Sequence, residues 1–511
     1  MRSIVYLIGA GPGDPDLITV RGLRCLASAD VVIHDHLVHA RLLGHARPGA
    51  EQIDVGLAAP QPLDQEAICY LLAEKAREGK IVARLKWGDP FVFDSGGPEA
   101  LFLHEQGLRF EVVPGVPAGI AVPSYAGIPI TYPGAGDTLS FVRGHEDDGK
   151  TKASVDWASL AQLDGTIVCY AGPRRLPEIV HALLSHGRSP DEPAALVYSG
   201  TLPTQETVAG TLDEIARRTK GSDERRPAVL VVGRGVALRE HLQWFDTRPL
   251  FGKRILVTRP PDSAAELIDP LEALGAEAIE APMIRIVPPE DYGPLDAACR
   301  RVATFDAVVF ASRHAVDAFM ERLFATAGDV RELKGVTLCA IGAATGARLS
   351  RHGVKVDLAP AEYRAEALVE AIAAKGDVRG RRILLPRADI GREIVADGLR
   401  AHGADVTEVV AYRTVVLDPE REGGPDIYRM LLERRIDVVT FTSASAVRNF
   451  VAALGAEPAA DLLRTTVVAA IGPVTAEAAR QHQIETTILA SPYTVPALVN
   501  AIVKHFEQQV T

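Results

Sequence analysis

The chain has 511 residues, 47% of them hydrophobic and 24% charged, a composition that excludes disordered, collagen-like and fibrous proteins. At roughly 150 residues per domain, the length predicts about three to four domains. Because 55 Lys and Arg stand against 66 Asp and Glu, a net charge of -11, we expect no nucleic-acid partner.

Short apolar runs separated by helix-length segments fill the first half of the chain. They occur at 4–8, 30–33, 80–85 and 109–113, and again at 139–142, 166–170, 194–198 and 228–232. Such runs are typical of strands covered on both faces, so we predict an α/β fold, with a parallel sheet in the first third. The polar stretch 244–251, with its Pro and Gly, predicts a linker and the main domain boundary.

The second half of the chain repeats itself. Residues 255–259 recur as 383–387, 306–312 as 437–443, and 341–345 as 471–475. The repeated unit spans about 125 residues, too long for a solenoid of short repeats. We therefore predict two similar α/β lobes with a cleft between them.

Neither a membrane nor a metal is expected as a partner. No apolar run approaches the roughly 18 residues of a membrane span, and the first apolar stretch is cut by a Gly-Pro-Gly sequence, which disfavours a signal peptide. The five cysteines are scattered and form no C-x-x-C pair, which argues against a zinc site or a disulfide framework. We therefore expect a cytoplasmic protein.

The loop after the first apolar run carries glycines at positions 9, 11 and 13, whose backbone N–H groups can approach a ligand closely. A dinucleotide fingerprint would need glycine where Asp14 stands, and Pro12 removes a donor from the turn. A nicotinamide-dependent dehydrogenase is therefore disfavoured. A plain strand-to-helix turn remains the alternative to a ligand-binding loop.

Separated motifs of the first half resemble those of the uroporphyrinogen-III C-methyltransferases. They lie, in the order and spacing of that family, at 9–15, 29–35, 84–93, 112–116 and 125–131. The resemblance covers about residues 3 to 240 and implies a homodimeric tetrapyrrole methylase of two α/β lobes, about 1–115 and 116–243. It also implies transfer of methyl groups from S-adenosylmethionine to C2 and C7 of uroporphyrinogen III, which gives precorrin-2.

The same resemblance implies roles for individual residues. Asp35 stands where the family has its general base, which takes the proton that leaves the macrocycle on methylation. The positions that match the cofactor contacts and the cofactor pocket of the family are Pro12, Trp87, Gly88, Asp89, Val92, Pro117, Ala118, Ala171 and Gly200. Trp87, Pro117 and Ala171 replace the glycine, threonine and methionine of the family, and Leu57 replaces a proton-donating lysine. A methylase half without activity is therefore an alternative.

The duplicated half resembles a second family, the uroporphyrinogen-III synthases. The motifs lie at 253–260, 310–316 and 441–447 and in the two Ile-Gly-x-x-Thr turns. The resemblance covers about residues 252 to 506 and implies two lobes with parallel sheets, joined by a two-stranded ribbon: lobe A from about 252–283 and 417–511, and lobe B from about 287–412. The implied reaction is a dehydrating cyclisation of hydroxymethylbilane with inversion of ring D, which gives uroporphyrinogen III.

Tyr412 matches a tyrosine of this family that is thought to help the hydroxyl leave by donating a hydrogen bond. Because the substrate carries eight carboxylates and the protein is acidic, arginines and helix N-termini must supply local positive potential. The residues expected to bind substrate in this way are Arg259, Ser312, Arg313, Thr345, Arg387, Ser443 and Thr475. For each arginine alone, a surface ion pair is the alternative interpretation.

The sequence thus predicts a bifunctional enzyme of siroheme and cobalamin precursor synthesis, with a methylase domain at 1–243, a linker at 244–251 and a synthase domain at 252–511. S-adenosylmethionine is the expected cofactor, the tetrapyrroles are the expected small-molecule partners, and a homodimer through the methylase domain is the expected assembly. Two alternatives remain: a synthase with an inactive methylase, and a two-lobed ligand-binding module built from the duplicated half.

Overall fold

Residues 3–56, 62–144, 155–221, 223, 226–360, 365–390, 394–417 and 424–510 are described by the structure, a computed structural model. The chain divides into two compact units. The first comprises Met1–Arg254, Pro270–Glu277 and Val503–Thr511, and the second comprises Ile255–Asp269 and Ala278–Ile502. Strands and helices alternate along both, which confirms the predicted α/β class.

The first unit is built from strands and helices that follow one another in chain order. The strands are β1 (Ile4–Gly9), β2 (Val31–His34), β3 (Glu51–Asp54), β4 (Ile81–Lys86), β5 (Phe110–Val113), β6 (Thr138–Arg143), β7 (Gly165–Tyr170), β8 (Pro193–Tyr198), β9 (Glu206–Thr211) and β10 (Ala228–Val232). The helices are α1 (Val20–Ser28), α2 (Ala40–Leu43), α3 (Gln65–Arg77), α4 (Gly96–Glu105), α5 (Ala118–Tyr125), α6 (Trp157–Gln162), α7 (Leu176–Ser185), α8 (Leu212–Arg218) and α9 (Arg239–Leu242).

The strands of this unit form two sheets. The first has the order β3-β2-β4-β1-β5, and all its strands are parallel. The second has the order β6-β7-β10-β8-β9 and is mixed, because β10 runs antiparallel to both β7 and β8. In the parallel sheet every strand ends at the same edge, so the loops that follow β1, β2, β4 and β5 meet there.

The segment 244–251, predicted to be a linker, lies within the first unit and packs against α5. Trp244 Nε1 donates a hydrogen bond to the Ser124 carbonyl at 3.0 Å, and the Phe245 ring lies 4.8 Å from that of Tyr125. Phe245 and Leu250 are both buried. The linker prediction rested on the polar residues of this segment and did not take into account that Phe245 and Leu250 are buried.

The second half of the chain continues the alternation. Its strands are β11 (Arg254–Val257), β12 (Glu277–Glu280), β13 (Ile284–Val287), β14 (Ala307–Phe310), β15 (Thr337–Ala340), β16 (Arg382–Ala388), β17 (Asp405–Val416), β18 (Val438–Phe441), β19 (Val467–Ala470) and β20 (Ile488–Leu489). Its helices are α10 (Pro261–Ala273), α11 (Gly293–Arg300), α12 (Arg313–Thr326), α13 (Ala343–Arg351), α14 (Ala365–Lys375), α15 (Ile394–Ala401), α16 (Ile427–Leu432), α17 (Ala444–Leu454), α18 (Ala456–Leu463), α19 (Pro473–Gln481) and α20 (Val495–Val510).

These strands form two further sheets, each the centre of one lobe. Lobe A is built on the order β12-β11-β18-β19-β20, so it combines strands from the beginning and the end of this half. Lobe B is built on the order β13-β17-β16-β14-β15. Most neighbours are parallel, whereas β13 pairs antiparallel with the end of the long strand β17.

The two lobes repeat the same packing detail. In lobe B the Phe310 and Phe319 rings meet edge to face at 5.4 Å, and in lobe A the Phe441 and Phe450 rings do so at 5.3 Å. All four side chains are fully buried. The duplication read from the sequence is therefore also a duplication of core packing.

Among the described helices, none is long and apolar enough to cross a membrane. The five cysteines are free thiols. Within the described ranges, no group of three or more His, Cys, Asp or Glu side chains could hold a metal ion.

Candidate active sites

Three loops of the first unit meet at the carboxyl edge of its parallel sheet. Gly11 and Gly88 exchange two backbone hydrogen bonds, at 3.2 and 2.9 Å, and the Asp89 carboxylate accepts a hydrogen bond from Gly115 N at 2.9 Å. A Cβ atom on Gly115 would lie 2.2 Å from the Gly88 carbonyl oxygen, so no larger residue allows this approach. The loops form a cradle of main-chain atoms.

A small cavity of about 70 Å³ opens beside this cradle. Its wall consists of main chain and mostly apolar side chains, namely Pro12, Gly13, Leu37, His39, Trp87, Val122, Val197, Ser199, Gly200, Leu202, Pro227, Ala228 and Val229. Ser199 and Thr201 have positive φ angles, 45° and 72°, an uncommon conformation for residues other than glycine. Thr201 Oγ1 accepts a hydrogen bond from Asp14 N at 3.0 Å, which ties this turn to the first loop.

Most of the predicted cofactor residues lie together at this edge. Pro12, Trp87 and Gly200 line the cavity. A Cβ atom on Gly88 would lie 3.8 Å from Ala118 N and 3.9 Å from Pro117 Cα, so both residues adjoin the cradle.

The other predicted cofactor residues have different surroundings. Asp89 is occupied by hydrogen bonds from Gly115 N and Phe91 N. Val92 follows it in a turn and is half-buried, and Ala171 is buried in the core of the second sheet. Neither Val92 nor Ala171 lines the cavity. Leu57 lies outside the described residues.

Only three of the lining residues were predicted from the sequence, and Leu37 and His39 are among those missed because no motif marks them. Burial lowers the pKa of the His39 imidazole, and the nearby Arg41 lowers it further. The ring is therefore neutral at physiological pH. It presents an uncharged wall to the cavity.

The Asp35 carboxylate lies at the end of β2 and belongs to a buried cluster of charges. Arg84 Nη2 donates to Asp35 Oδ1 at 2.6 Å, and Lys86 Nζ donates to Glu99 Oε1 at 2.9 Å. Arg84, Lys86 and Glu99 are almost completely buried, whereas the Asp35 side chain is 25% exposed. The buried charges thus hold the Asp35 carboxylate in place, while part of this side chain remains accessible to solvent.

The same neighbours decide the protonation state of Asp35. Burial acts to raise the pKa of its carboxyl group, but the charges of Arg84 and Lys86 and the hydrogen bond from Arg84 outweigh burial. The pKa therefore lies below its ordinary value, and the group is an ionised carboxylate at neutral pH. Its second oxygen, Oδ2, has no hydrogen-bond partner among the described residues.

The second unit has a larger cavity, of about 430 Å³, between lobes A and B. Its lining comes from the start of α10 in lobe A and from several elements of lobe B: Pro261, Asp262, Arg285, Ile286, Val287, Pro288, Tyr292, His314, Asp317, Ala318, Glu321, Ala411 and Tyr412. Of the residues predicted for this half, only Tyr412 lines it. The sequence analysis missed His314 and Asp262.

The Tyr412 hydroxyl lies 3.0 Å from Ser312 Oγ, which also accepts a hydrogen bond from Ala315 N and so caps α12. Burial raises the pKa of the Tyr412 phenol, although the Ser312 hydrogen bond acts to lower it. The phenol therefore remains protonated at neutral pH. It can donate a hydrogen bond.

Two of the predicted arginines are joined by one carboxylate. Glu266 on α10 accepts hydrogen bonds from Arg259 at 2.7 Å and from Arg313 at 2.9 Å. Arg259 follows β11 in lobe A and Arg313 begins α12 in lobe B, so the contact spans the lobes. Arg387 instead pairs with Glu408 on the neighbouring strand of lobe B. Each arginine is thus engaged in an ion pair.

The four predicted helix starts occur in equivalent places in the two lobes. Ser443 caps α17 as Ser312 caps α12, each with its hydroxyl accepting from the backbone three residues on. Thr345 and Thr475 are the third residues of α13 and α19, whose caps are Gly342 and Gly472, and both threonines are buried. The positive ends of these helices therefore lie at the carboxyl edges of the two sheets.

Two family models match the chain. The model for tetrapyrrole (corrin/porphyrin) methylases matches residues 4–216, and the model for the uroporphyrinogen-III synthase HemD matches residues 265–500. Together they cover both units.

Similar proteins extend this result. The porphyrin biosynthesis protein HemD of Ruminiclostridium josui is 33% identical over 504 residues, which are 98% of this chain and 98% of that protein. A uroporphyrinogen-III C-methyltransferase of Priestia megaterium is 46% identical over 230 residues, 45% of this chain and 96% of its own. A solved uroporphyrin-III C-methyltransferase of Thermus thermophilus, complexed with S-adenyl homocysteine, is 38% identical, covers 47% of this chain and 100% of its own, and has a TM-score of 0.40.

The buried charge cluster predicts a large effect of Arg84→Met on stability. We expect the free energy of unfolding of the first unit to fall by about 3–5 kcal/mol at pH 7, because Asp35 and Glu99 lose a buried cation. The difference in stability between wild type and Arg84→Met should narrow as the pH falls below about 4, because Arg84 holds the pKa of the Asp35 carboxyl below its ordinary value and this group takes up a proton there. The unfolding of the first unit in urea can be followed by tryptophan fluorescence, because all three tryptophans of the chain lie in this unit: Trp87, Trp157 and Trp244.

The matched control for this variant is Arg21→Met, which removes an ion pair to Glu111 that is exposed on both sides. We expect it to cost less than about 1 kcal/mol. Equal urea midpoints for the two variants would show that the cluster does not stabilise the unit.

Proposed function

Because the chain belongs to the family that joins a tetrapyrrole methylase to a uroporphyrinogen-III synthase, we infer that it is a bifunctional enzyme of tetrapyrrole biosynthesis. Its second half cyclises hydroxymethylbilane to uroporphyrinogen III with loss of water, and its first half methylates that product at C2 and C7 to precorrin-2, a precursor of siroheme and cobalamin. The observation that carries this conclusion is the end-to-end match to the Ruminiclostridium josui protein, together with a family model on each half.

The residues present at the first site fit S-adenosylmethionine, which supplies the methyl groups when it is bound. We propose that it is held by Pro12, Trp87, Gly88, Asp89, Val92, Pro117, Ala118, Ala171 and Gly200. The support is the cradle of glycine backbone beside a mostly apolar cavity, since such a cradle offers main-chain hydrogen bonds to a ligand. Pro12, Trp87 and Gly200 line the cavity, Gly88, Asp89, Pro117 and Ala118 adjoin the cradle, and Val92 and Ala171 are proposed from the family resemblance alone.

We propose that Asp35 is the general base of the methylation. It is ionised at neutral pH, one of its oxygens is anchored by Arg84, and the other has no partner within the described residues. An anchored carboxylate with one available oxygen is arranged to accept the proton that the macrocycle loses. Leu37, two residues further on, lines the cavity, which supports a place for Asp35 beside it.

The cyclisation depends mainly on positioning. Hydroxymethylbilane also closes without an enzyme, but to the type I isomer, so the protein must hold the one folded conformer that leads to ring D inversion. We propose that Arg259, Arg313, Arg387 and the helix starts at Ser312, Thr345, Ser443 and Thr475 hold the substrate carboxylates. This proposal is supported by the positive charge of the arginines and by the positive N-terminal ends of the helices, which lie at the carboxyl edges of the sheets in both lobes.

We propose that Tyr412 assists the departure of the hydroxyl group by donating a hydrogen bond. Its phenol stays protonated, lies in the cavity between the lobes and is oriented by Ser312. A hydrogen bond to the oxygen stabilises the charge that develops there as the C–O bond breaks.

We further propose a homodimer that forms through the methylase half and acts in the cytoplasm. The dimer is supported by the family resemblance and by large apolar side chains that are exposed in this half, such as Phe91 at 57% and Leu101 at 59%. The five free cysteines are typical of a reducing compartment.

The first test supplies the purified chain with hydroxymethylbilane under anaerobic conditions, with and without S-adenosylmethionine. We expect type III isomer in both samples and precorrin-2 only with the methyl donor, measured by separating the oxidised porphyrin isomers and recording product spectra. Type III isomer without precorrin-2 would identify a synthase with an inactive methylase, consistent with the sequence departures at Leu57, Pro117 and Ala171. Type I isomer alone would contradict the synthase function and favour a binding module.

Asp35→Asn should remove methylation and leave cyclisation unchanged. Asparagine keeps the shape of the side chain but cannot take up the proton, so we expect the rate of precorrin-2 formation from supplied uroporphyrinogen III to fall at least about 100-fold. Asp213→Asn, an exposed substitution on α8, is the control and should behave as wild type. Normal methylation by Asp35→Asn would remove Asp35 from the role of base.

Tyr412→Phe should have the opposite profile. Because only the hydroxyl is lost, we expect type III formation to slow at least about tenfold, while methylation of supplied uroporphyrinogen III is unchanged. Tyr428→Phe, on an exposed face of α16, is the matched control. A variant Tyr412→Phe with the wild-type rate would show that the phenol is a packing residue.

A further inference from the structure

An imidazole lies beside the Tyr412 phenol in the cavity between lobes A and B. The His314 ring packs edge to face on the Tyr412 ring, with centroids 5.6 Å apart and planes at 60°. His314 Nδ1 lies 3.1 Å from Asp262 Oδ2, so a side chain of lobe B meets a carboxylate of lobe A. The other ring nitrogen, Nε2, has no hydrogen-bond partner among the described residues. All three side chains line the same cavity.

The cyclisation needs a proton that the phenol is poorly suited to give. Hydroxide is a poor leaving group, so the departing oxygen must be protonated as the C–O bond breaks. A general acid works best when it titrates near the working pH, and burial moves the pKa of Tyr412 in the opposite direction, above its ordinary value. Tyr412 can donate a hydrogen bond, but a group more acidic than this phenol is better suited to deliver the proton.

We infer that the protonated imidazole of His314 is the general acid that delivers this proton, and that Asp262 is the positioning residue that orients the ring across the cleft between the lobes. The inference rests on the proposed cyclisation. It adds a catalytic residue to that reaction, and it assigns a role in catalysis to the contact between His314 of lobe B and Asp262 of lobe A. An acid whose second nitrogen is held by a carboxylate has a fixed tautomer and direction.

The step balances in atoms and electrons. Both electrons of the C–O bond go to the oxygen, the proton leaves His314 Nε2, and water departs. The pyrrole nitrogen supplies an electron pair to the carbon that lost the oxygen, which leaves a cationic conjugated system. The ring-closing bond neutralises that cation and leaves the positive charge on the pyrrole that attacked it. The attacking pyrrole then loses one proton, which returns to the neutral imidazole and restores the acid.

The charged groups around the ring favour this assignment. The hydrogen bond from His314 holds the pKa of the Asp262 carboxyl below its ordinary value, against the opposing effect of burial, so the carboxylate is ionised and faces the imidazole. On α12 itself, Arg313 is paired with Glu266 and Asp317 with Arg348 of α13. The remaining charged groups that line the cavity are Glu321 on α12 and Arg285 on β13.

The test follows the rate of type III formation from hydroxymethylbilane by the full-length chain between about pH 6 and pH 9. Only the type III isomer is counted, because the substrate also closes spontaneously to type I. We compare wild type with His314→Gln, which keeps a hydrogen-bond donor but carries no dissociable proton, and with Asp262→Asn. His402→Gln, an exposed histidine at the end of α15, is the control.

For wild type we expect the rate to fall on the alkaline side as the imidazolium is lost. His314→Gln should lower the rate at neutral pH about 100-fold, and its remaining rate should no longer fall at alkaline pH. Asp262→Asn should keep part of the activity and retain the fall of the rate at alkaline pH, because the imidazole is still present but is no longer held in position by the carboxylate. His402→Gln should match wild type. A merely structural role of His314 would not change the shape of the pH profile.

His314→Gln with the wild-type rate and profile would overturn the inference while leaving the synthase function intact. If His314→Gln does not fold, as judged by circular dichroism, the rate of Asp262→Asn decides, and a rate equal to that of wild type overturns the inference. Wild type that yields only the type I isomer would overturn the proposed cyclisation and this inference together.

Discussion

Two parallel strands cannot be joined by a tight turn, and this constraint decides where the functional groups of the chain lie. Each strand of a parallel sheet ends at the same edge and leads into a crossover helix. In the first unit that edge brings Gly11, Gly88 and Gly115 into contact. In lobe B the neighbouring strands β14 and β15 place the starts of α12 and α13 side by side. Groups far apart in the chain therefore meet in space.

Charge is used differently in the two units. In the first, Arg84, Lys86 and Glu99 are buried, and removing one partner of such a group is costly because it leaves an uncompensated charge in the core. At the cleft of the second unit, Asp262 and Glu266 are about half exposed, where an ion pair is worth about 1 kcal/mol or less. The buried cluster of the first unit holds the Asp35 carboxylate in one position. The weaker, exposed ion pairs of the second unit allow Asp262 and Glu266 to exchange their partners.

The sequence was most informative where burial is complete. Strands such as β1 and β14 are covered on both faces and read as apolar runs, whereas β3 and β9 lie at sheet edges, are half exposed and lack that signal. The glycine loops could be predicted because close backbone approach requires that residue. His314 and Asp262 could not, because no motif links them and their proximity arises only when the lobes pack.

The carboxylate of Glu266 stands between an arginine of each lobe and prevents Arg259 and Arg313 from repelling one another. A carboxylate of an incoming substrate has the same charge and the same pair of acceptor oxygens. It can replace Glu266 without altering the number of ion pairs or the net charge between the lobes, and Glu266, which is 57% exposed, is then hydrated. In the proposed synthase reaction, Glu266 is therefore the counter-ion that a substrate carboxylate would displace.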